Sequence, residues 1–110
     1  MAYFAKEDYE NALRDFTDSL EADPENYRAL NFHGFVLKIQ NREEDALADF
    51  SQSIEKNPYQ FEPYFARAEI LYSRGQAKEA LCDCESALRF DPESRKARDL
   101  YENVQKALGE

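Results

Sequence analysis

The stretch YFARAEILYSRGQAKEALCDCESALRFDP, residues 64–92, predicts the fold, because its pattern recurs along the chain. Its last residue belongs to a series of prolines spaced 34 residues apart, Pro24, Pro58 and Pro92. An Ala-Leu pair precedes each proline at the same distance: Ala12-Leu13, Ala46-Leu47 and Ala80-Leu81. Self-similarity at this period indicates an array of helical repeats, and it favours binding or scaffolding over catalysis.

Two apolar stripes within residues 64–92 predict two helices. Tyr64, Ala68 and Leu71 follow the spacing of one helical face, and Ala80, Leu81, Cys84, Ala87 and Leu88 follow it again. We call the first helix of each pair the A helix and the second the B helix. Gly75 lies between them, as Asn41 does one period earlier, and both residue types tolerate the left-handed conformation that ends a helix.

The two ends of the chain differ. After Pro92, Ser94 is a good N-cap for a helix from about Arg95 to Leu108, and Glu102 replaces the small residue of an A helix, so we expect a solvated cap. At the other end, a stub of Tyr3, Phe4 and Ala5 and a turn at Glu7-Asp8 are predicted to precede the first B helix. The predicted organisation is one domain over 1–110, with a partial repeat at 1–26, repeats at 27–60 and 61–94, and a capping helix at 95–110.

The first B helix keeps Ala12 and Phe16, whose equivalents pack against an A helix. Three explanations stay open at this stage. The chain is a fragment of a longer array, another molecule's helix occupies the place of the absent A helix, or this end is frayed and partly exposed.

The small residue in each A helix, the Ala in each B helix and the closing proline together resemble the tetratricopeptide repeat (TPR) family. Residues 64–92 match its pattern closely, and residues 27–60 match it with Gly34, Ala46, Phe50 and Pro58. The resemblance covers nearly the whole chain. It implies an all-α fold, a right-handed α-solenoid of antiparallel helix pairs.

The resemblance also implies a concave groove lined by A helices, where partner peptides or helices dock. Mapped on this sequence, the groove residues are Arg28, Asn31, Phe32, Phe35, Lys38 and Ile39; Glu62, Phe65, Ala66, Glu69 and Tyr72; Lys96, Asp99 and Asn103; and Phe4 of the stub. Phe35 and Tyr72 are the strongest candidates for partner contact, because Phe32 and Phe65 could equally pack between helices.

Some members of the family grip the C-terminal carboxylates of chaperones with Lys, Arg and Asn side chains. In one register the first pair of these positions lies at or before Met1, and the others are Phe32, Glu62 and Ala66. In a register shifted by one repeat it has Asn31, Phe35, Ala66, Lys96 and Leu100, of which only Asn31 and Lys96 suit a carboxylate. The sequence therefore does not support such a carboxylate clamp.

The net charge of −9 argues against nucleic acid and anionic membranes as direct partners. Apolar runs are too short to span a bilayer and no signal peptide opens the sequence, so we expect a cytoplasmic protein. Residues 1–26 contain eight acidic and two basic side chains, whereas residues 95–110 contain three acidic and four basic ones. This asymmetry is typical of a solvated surface, and it would also favour head-to-tail stacking.

No residue pattern predicts catalysis, a metal site or a cofactor. Cys82 and Cys84 are two apart on a predicted helix, so they point apart; Cys84 is predicted to be core and Cys82 partly exposed. His33, the only histidine, is assigned to helix packing, and three glycines form no phosphate loop.

The sequence thus predicts a non-catalytic protein–protein interaction module, an adaptor or scaffold for a partner peptide or helix. Two alternatives stay open. One is a structural module that self-associates through its incomplete N-terminal repeat, and the other is a regulatory repeat segment of a larger enzyme.

Overall fold

The computed structural model describes the backbone of residues 6–109 and the side chains of residues 8–109, and within them it shows six helices. They are α1 (Lys6–Ala22), α2 (Tyr27–Ile39), α3 (Glu43–Lys56), α4 (Glu62–Ser73), α5 (Ala77–Phe90) and α6 (Arg95–Leu108). The predicted A helices are α2 and α4, the B helices are α1, α3 and α5, and α6 is the predicted cap helix. No strand occurs in the described backbone, which confirms an all-α fold.

The chain divides into two units, Met1–Lys56 and Asn57–Glu110. In the first unit α2 packs on both α1 and α3, and in the second α5 packs on both α4 and α6. The pairs are antiparallel: the Ser53 hydroxyl, late in α3, donates to the carbonyl of Tyr27 at the start of α2. The same order holds where Phe90, late in α5, stacks on Tyr64, early in α4.

Local sequence signals set the ends of the helices. The Asn26 side chain accepts a hydrogen bond from the Ala29 amide at 3.1 Å, and the Ser94 hydroxyl accepts one from the Ala97 amide at 3.2 Å. Asn41 and Gly75, at the A-to-B turns, have φ angles of 62° and 79°. The predicted left-handed turn residues and the Ser94 cap are therefore confirmed.

The prediction of a turn at Glu7-Asp8 is wrong. Both residues are helical, because α1 begins at Lys6. Acidic residues are favoured in the first turn of a helix, where the macrodipole is positive, so this pair extends α1 instead of interrupting it. The predicted stub of Tyr3, Phe4 and Ala5 lies outside the described residues.

Close packing between A and B helices forms the core of each unit. In the first unit Ala46, Phe50 and Ser53 of α3 are fully buried, and a methyl group added to Gly34 would lie 2.9 Å from Cε1 of Phe50. This position therefore requires glycine. In the second unit Ala68, Ala80, Cys84 and Val104 form the equivalent buried cluster.

The two cysteines differ in exposure as predicted: Cys82 is exposed and Cys84 is fully buried. Burial, reinforced by nearby Asp83, Glu85 and Glu69, raises the pKa of the Cys84 thiol to about 11 from its ordinary value of 9.0. The stability that the neutral thiol contributes is therefore complete below pH 9 and is lost as pH rises through about 11.

We expect the two thiols to react at very different rates. At pH 8 the raised pKa alone lowers the thiolate fraction of Cys84 about 100-fold relative to an ordinary cysteine. A coloured disulfide reagent should modify one thiol per chain quickly and the second at least about 100-fold more slowly. Cys82→Ser should remove only the fast phase, and urea should make both thiols fast. Loss of the slow phase in Cys82→Ser would contradict this assignment.

Candidate functional site

The predicted groove residues of the first unit lie along one side of α2. Arg28 is exposed, Phe35 and Lys38 are half-buried, and Asn31 is only 6% exposed. Phe32 exposes 54% of its surface and the neighbouring Ile39 exposes 59%. Asn31 therefore offers a partner little surface, whereas Phe32 and Ile39 offer a great deal.

Two of these aromatic residues also line a pocket between α1 and α2, which we call the α1–α2 pocket. Its volume is about 210 Å³ and its lining is Tyr9, Ala12, Phe16, Phe32, Phe35 and Val36. The rings of Phe16 and Phe32 stack with centroids 5.5 Å apart, and Phe35 meets Phe50 edge-on at 5.3 Å. The rings are therefore held in place, and one side of the pocket is left open.

The predicted residues of the second unit divide between α4 and α6. Glu62, Lys96 and Asp99 are exposed, whereas Phe65, Glu69 and Tyr72 are half-buried. The Phe65 ring stacks on Phe61 at 5.5 Å, and Tyr72 packs against the buried cluster of α4, α5 and α6. The two units thus each carry part of the predicted set, and a single groove formed by all of them stays a prediction.

An ion-pair position recurs with the same period as the prolines. In the first unit His33 Nδ1 lies 2.5 Å from Asp49 Oδ2. In the second unit Arg67, 34 residues later, donates from Nε and one terminal nitrogen to both oxygens of Asp83, at 2.7 and 2.8 Å. Each pair joins an A helix to the following B helix, and Asp83 is only 5% exposed.

The environment of each ion pair affects its titration. Burial raises the pKa of Asp49, and the hydrogen bond and electrostatic interaction with His33 oppose that rise only in part. The hydrogen bond from Arg67 to Asp83 raises the pKa of Arg67, so the guanidinium stays charged. The aspartates belong to a series at 34-residue intervals, Asp15, Asp49 and Asp83, which was not among the predicted site residues.

Thr17, His33 and Asp49 form a row of hydroxyl, imidazole and carboxylate, with 3.4 Å between Thr17 Oγ1 and His33 Nε2. Such a row would suit nucleophilic catalysis if the imidazole could take the hydroxyl proton. Here the Thr17 hydroxyl donates its proton to the Leu13 carbonyl at 2.7 Å. The row therefore fastens three helices together and does not activate Thr17.

The described residues contain neither a candidate metal site nor a membrane-spanning helix. Within residues 8–109, no group of three or more His, Cys, Asp or Glu side chains is placed to hold a metal ion. None of the helices between Lys6 and Leu108 is long and apolar enough to cross a membrane.

Comparison with known proteins bears on the family. The sequence model of the tetratricopeptide repeat family matches residues 1–26. No curated protein sequence matches the chain.

Solved structures match over nearly the whole chain. The first TPR domain of Spaghetti (RPAP3), bound to the HSP90 peptide SRMEEVD, is similar with a TM-score of 0.88 and 20% identity, over 93% of this chain and 81% of that one. The TPR2B domain of yeast Sti1, in complex with an Hsp70 peptide, is similar with a TM-score of 0.83 and 25% identity, over 94% and 88%.

The first TPR domain of human RPAP3 is similar with a TM-score of 0.86 and 20% identity, covering 94% of this chain and 82% of that one. The predicted α-solenoid fold is thereby confirmed. The family model at residues 1–26 and this shared fold agree with the predicted resemblance to the tetratricopeptide repeat family.

Proposed function

We propose that this chain is a non-catalytic protein–protein interaction module that binds a partner peptide or helix through its A helices. The observation that carries the proposal is the exposure of Phe32 and Ile39 on α2 beside the half-buried Phe35. Aromatic side chains held open on a rigid helix suit the anchor residues of a bound segment. The structural neighbours that are bound to peptides support the same class of function.

The charged residues of the predicted set are of both signs. Arg28 and Lys38 lie on α2, Glu62 and Glu69 on α4, and the exposed pair Lys96 and Asp99 on α6. A partner with mixed charge around an apolar centre would complement them. We infer an affinity on the order of micromolar, because so few repeats offer a small interface. The net charge of −9 supports a protein partner over a nucleic acid.

Whether this chain binds the chaperone tails that its structural neighbours bind is a separate question. At the positions that would hold their carboxylates, Phe32 is apolar, Glu62 is an exposed acid and Ala66 is fully buried. An acid at such a position repels a carboxylate. We therefore propose that this chain does not bind the EEVD-type tail, although its fold resembles domains that do.

A peptide selection tests the proposal. Peptides selected from a phage-displayed random library against the intact chain should bind Phe32→Ala/Tyr72→Ala at least about 10-fold more weakly, because an anchor residue contributes about 1.4 kcal/mol or more. The double variant should have the same helical circular dichroism spectrum as the wild type. The peptide SRMEEVD should show no binding up to about 100 μM.

Tyr59→Ala is the matched control, because Tyr59 is a 78% exposed aromatic residue outside the predicted set. It should bind the selected peptides within about twofold of the wild type, as expected for a residue outside the hot spot. Equal affinity of the double variant and the wild type would exclude binding through the A helices. Light scattering at high protein concentration tests the self-association alternative. That alternative requires a dimer or larger assembly, so a monomer would exclude it.

A further inference from the structure

A set of four residues on α1 repeats a set that is covered by a helix elsewhere in the chain. On α1 these are Ala12, Asp15, Phe16 and Ser19; on α3 they are Ala46, Asp49, Phe50 and Ser53; on α5 they are Ala80, Asp83, Cys84 and Ala87. The three sets are related by exact shifts of 34 residues. The same sequence should therefore suit the same kind of neighbour.

The neighbour of the α3 set is α2. Phe50 and Ser53 are fully buried on α3. Gly34 of α2 lies against the Phe50 ring, the Ser53 hydroxyl donates to the α2 backbone at Tyr27, and His33 pairs with Asp49. The neighbour of the α5 set is α4, which supplies Arg67 and Ala68 in the same two positions. Each covering helix thus carries a basic or imidazole residue directly before a small one.

The set on α1 has no such cover among the described residues. Ala12 and Phe16 are half-buried and line the open α1–α2 pocket, while Asp15 and Ser19 are exposed. The equivalents on α3 and α5, apart from the half-buried Asp49, are all buried. The residues of the α1 set are identical in type to those of the α3 set, and the α3 set is packed against α2.

We propose that this face of α1 binds a helix of a partner protein, antiparallel to α1, in which Arg or His directly precedes Gly. Glycine is required because Phe16 corresponds to Phe50, and the Phe50 ring leaves no room for a Cβ on Gly34. The cation is required opposite Asp15, as the pairs at Asp49 and Asp83 show. The inference deepens the proposed function and rests on it, since it names a second surface, which adjoins the first through the stacked rings of Phe16 and Phe32, and the chemistry of its partner.

A second copy of this chain fits less well. Helix α6 also starts as an A helix, yet it has Tyr101 and Glu102 at the positions of the cation and the glycine. Glu102 would meet the Phe16 ring with a carboxylate and bury it without a partner, which is costly. Helices α2 and α4 are already packed on α3 and α5. The acidic character of residues 1–26 likewise favours a basic partner helix.

The test uses a fluorescein-labelled peptide with the sequence of residues 26–40 and the change His33→Arg, because α2 already has every required feature. Fluorescence anisotropy with the intact chain should give a dissociation constant on the order of tens of micromolar. Asp15→Arg in the protein should weaken binding at least about 10-fold. A peptide with His33→Asp should bind that variant better than it binds the wild type.

Two controls separate this site from general stickiness. Glu21→Arg makes the same charge change at an exposed position on the side of α1 opposite to this set, and it should leave peptide affinity within about twofold. A peptide that also carries Gly34→Leu should lose at least about 10-fold in affinity, since its side chain would collide with Phe16.

Several results would overturn the proposal. One is the absence of peptide binding at about 500 μM, and another is binding that neither Asp15→Arg nor Gly34→Leu weakens. A third is a dimer in light scattering that Asp15→Arg dissociates, which would make a second copy the occupant. If deletion of residues 1–5 raises the affinity for the peptide about 10-fold or more, the occupant of the site is the chain's own N-terminus. If selected peptides still depend on Tyr72 while this test fails, the proposed function stands without the second surface.

Discussion

Arg67→Met should lower the free energy of unfolding by about 3 kcal/mol, because it leaves the carboxylate of Asp83 buried without its partner. Methionine keeps most of the volume of the Arg67 side chain, so the loss reports the charge pair and not a cavity. The guanidinium donates to both oxygens of Asp83, at 2.7 and 2.8 Å, and methionine can donate to neither. Urea unfolding followed by circular dichroism measures the change.

The double variant Arg67→Met/Asp83→Leu is the control for this prediction. Removing both charges avoids the buried, unpaired carboxylate, so stability should return to within about 1 kcal/mol of the wild type. Asp45→Ala breaks an exposed pair with Arg42, and it should cost no more than about 0.5 kcal/mol. If Arg67→Met costs as little as Asp45→Ala, the Arg67–Asp83 pair does not hold the second unit together.

Phe50→Cys should lower the free energy of unfolding by about 3 kcal/mol, and Gly34→Ala should restore part of that loss. The first change empties the space of a fully buried ring. By itself, Gly34→Ala gains about 1 kcal/mol of helix propensity and loses about 2 kcal/mol to the contact with Phe50. Once the ring is gone the contact disappears, so only the gain remains.

The double variant reproduces the arrangement of Ala68 and Cys84 in the second unit. A double-mutant cycle by urea unfolding should therefore show a favourable coupling of at least about 1 kcal/mol between the two positions. Val36→Ala is a matched control: it lies on α2 but lines the α1–α2 pocket, so it should add to Phe50→Cys without coupling. Strict additivity of Gly34→Ala and Phe50→Cys would contradict the packing described for α2 and α3.

The fold was predictable because its signals are local and periodic. Gly75, Asn41 and Ser94 act through their own backbone geometry, so their positions identify the helix ends without any tertiary information. The pair Glu7-Asp8 was wrongly predicted to form a turn, because acidic residues suit both turns between helices and the first turn of a helix. Only the helix boundary distinguishes the two.

The binding surfaces were less predictable from sequence. The exposure of Phe32 and the burial of Asn31 depend on which neighbouring side chains cover them, and the spacing along α2 does not determine that. The aspartate series escaped notice because its partners are different residue types, His33 and Arg67, so only one side of each pair repeats. Partner binding by the predicted residues stays a prediction that the peptide experiments address.

The pairing of glycine with a ring in one hairpin, and of alanine with a thiol in the other, has a consequence for folding. Arrays of similar repeats tend to misfold when a helix docks on the wrong neighbour. If α4 docked on α3, the methyl group of Ala68 would collide with Phe50, and if α2 docked on α5, Gly34 would leave a void beside Cys84. Both exchanged pairings are therefore poorer than the native ones, so each hairpin selects its own partner helix while the chain folds.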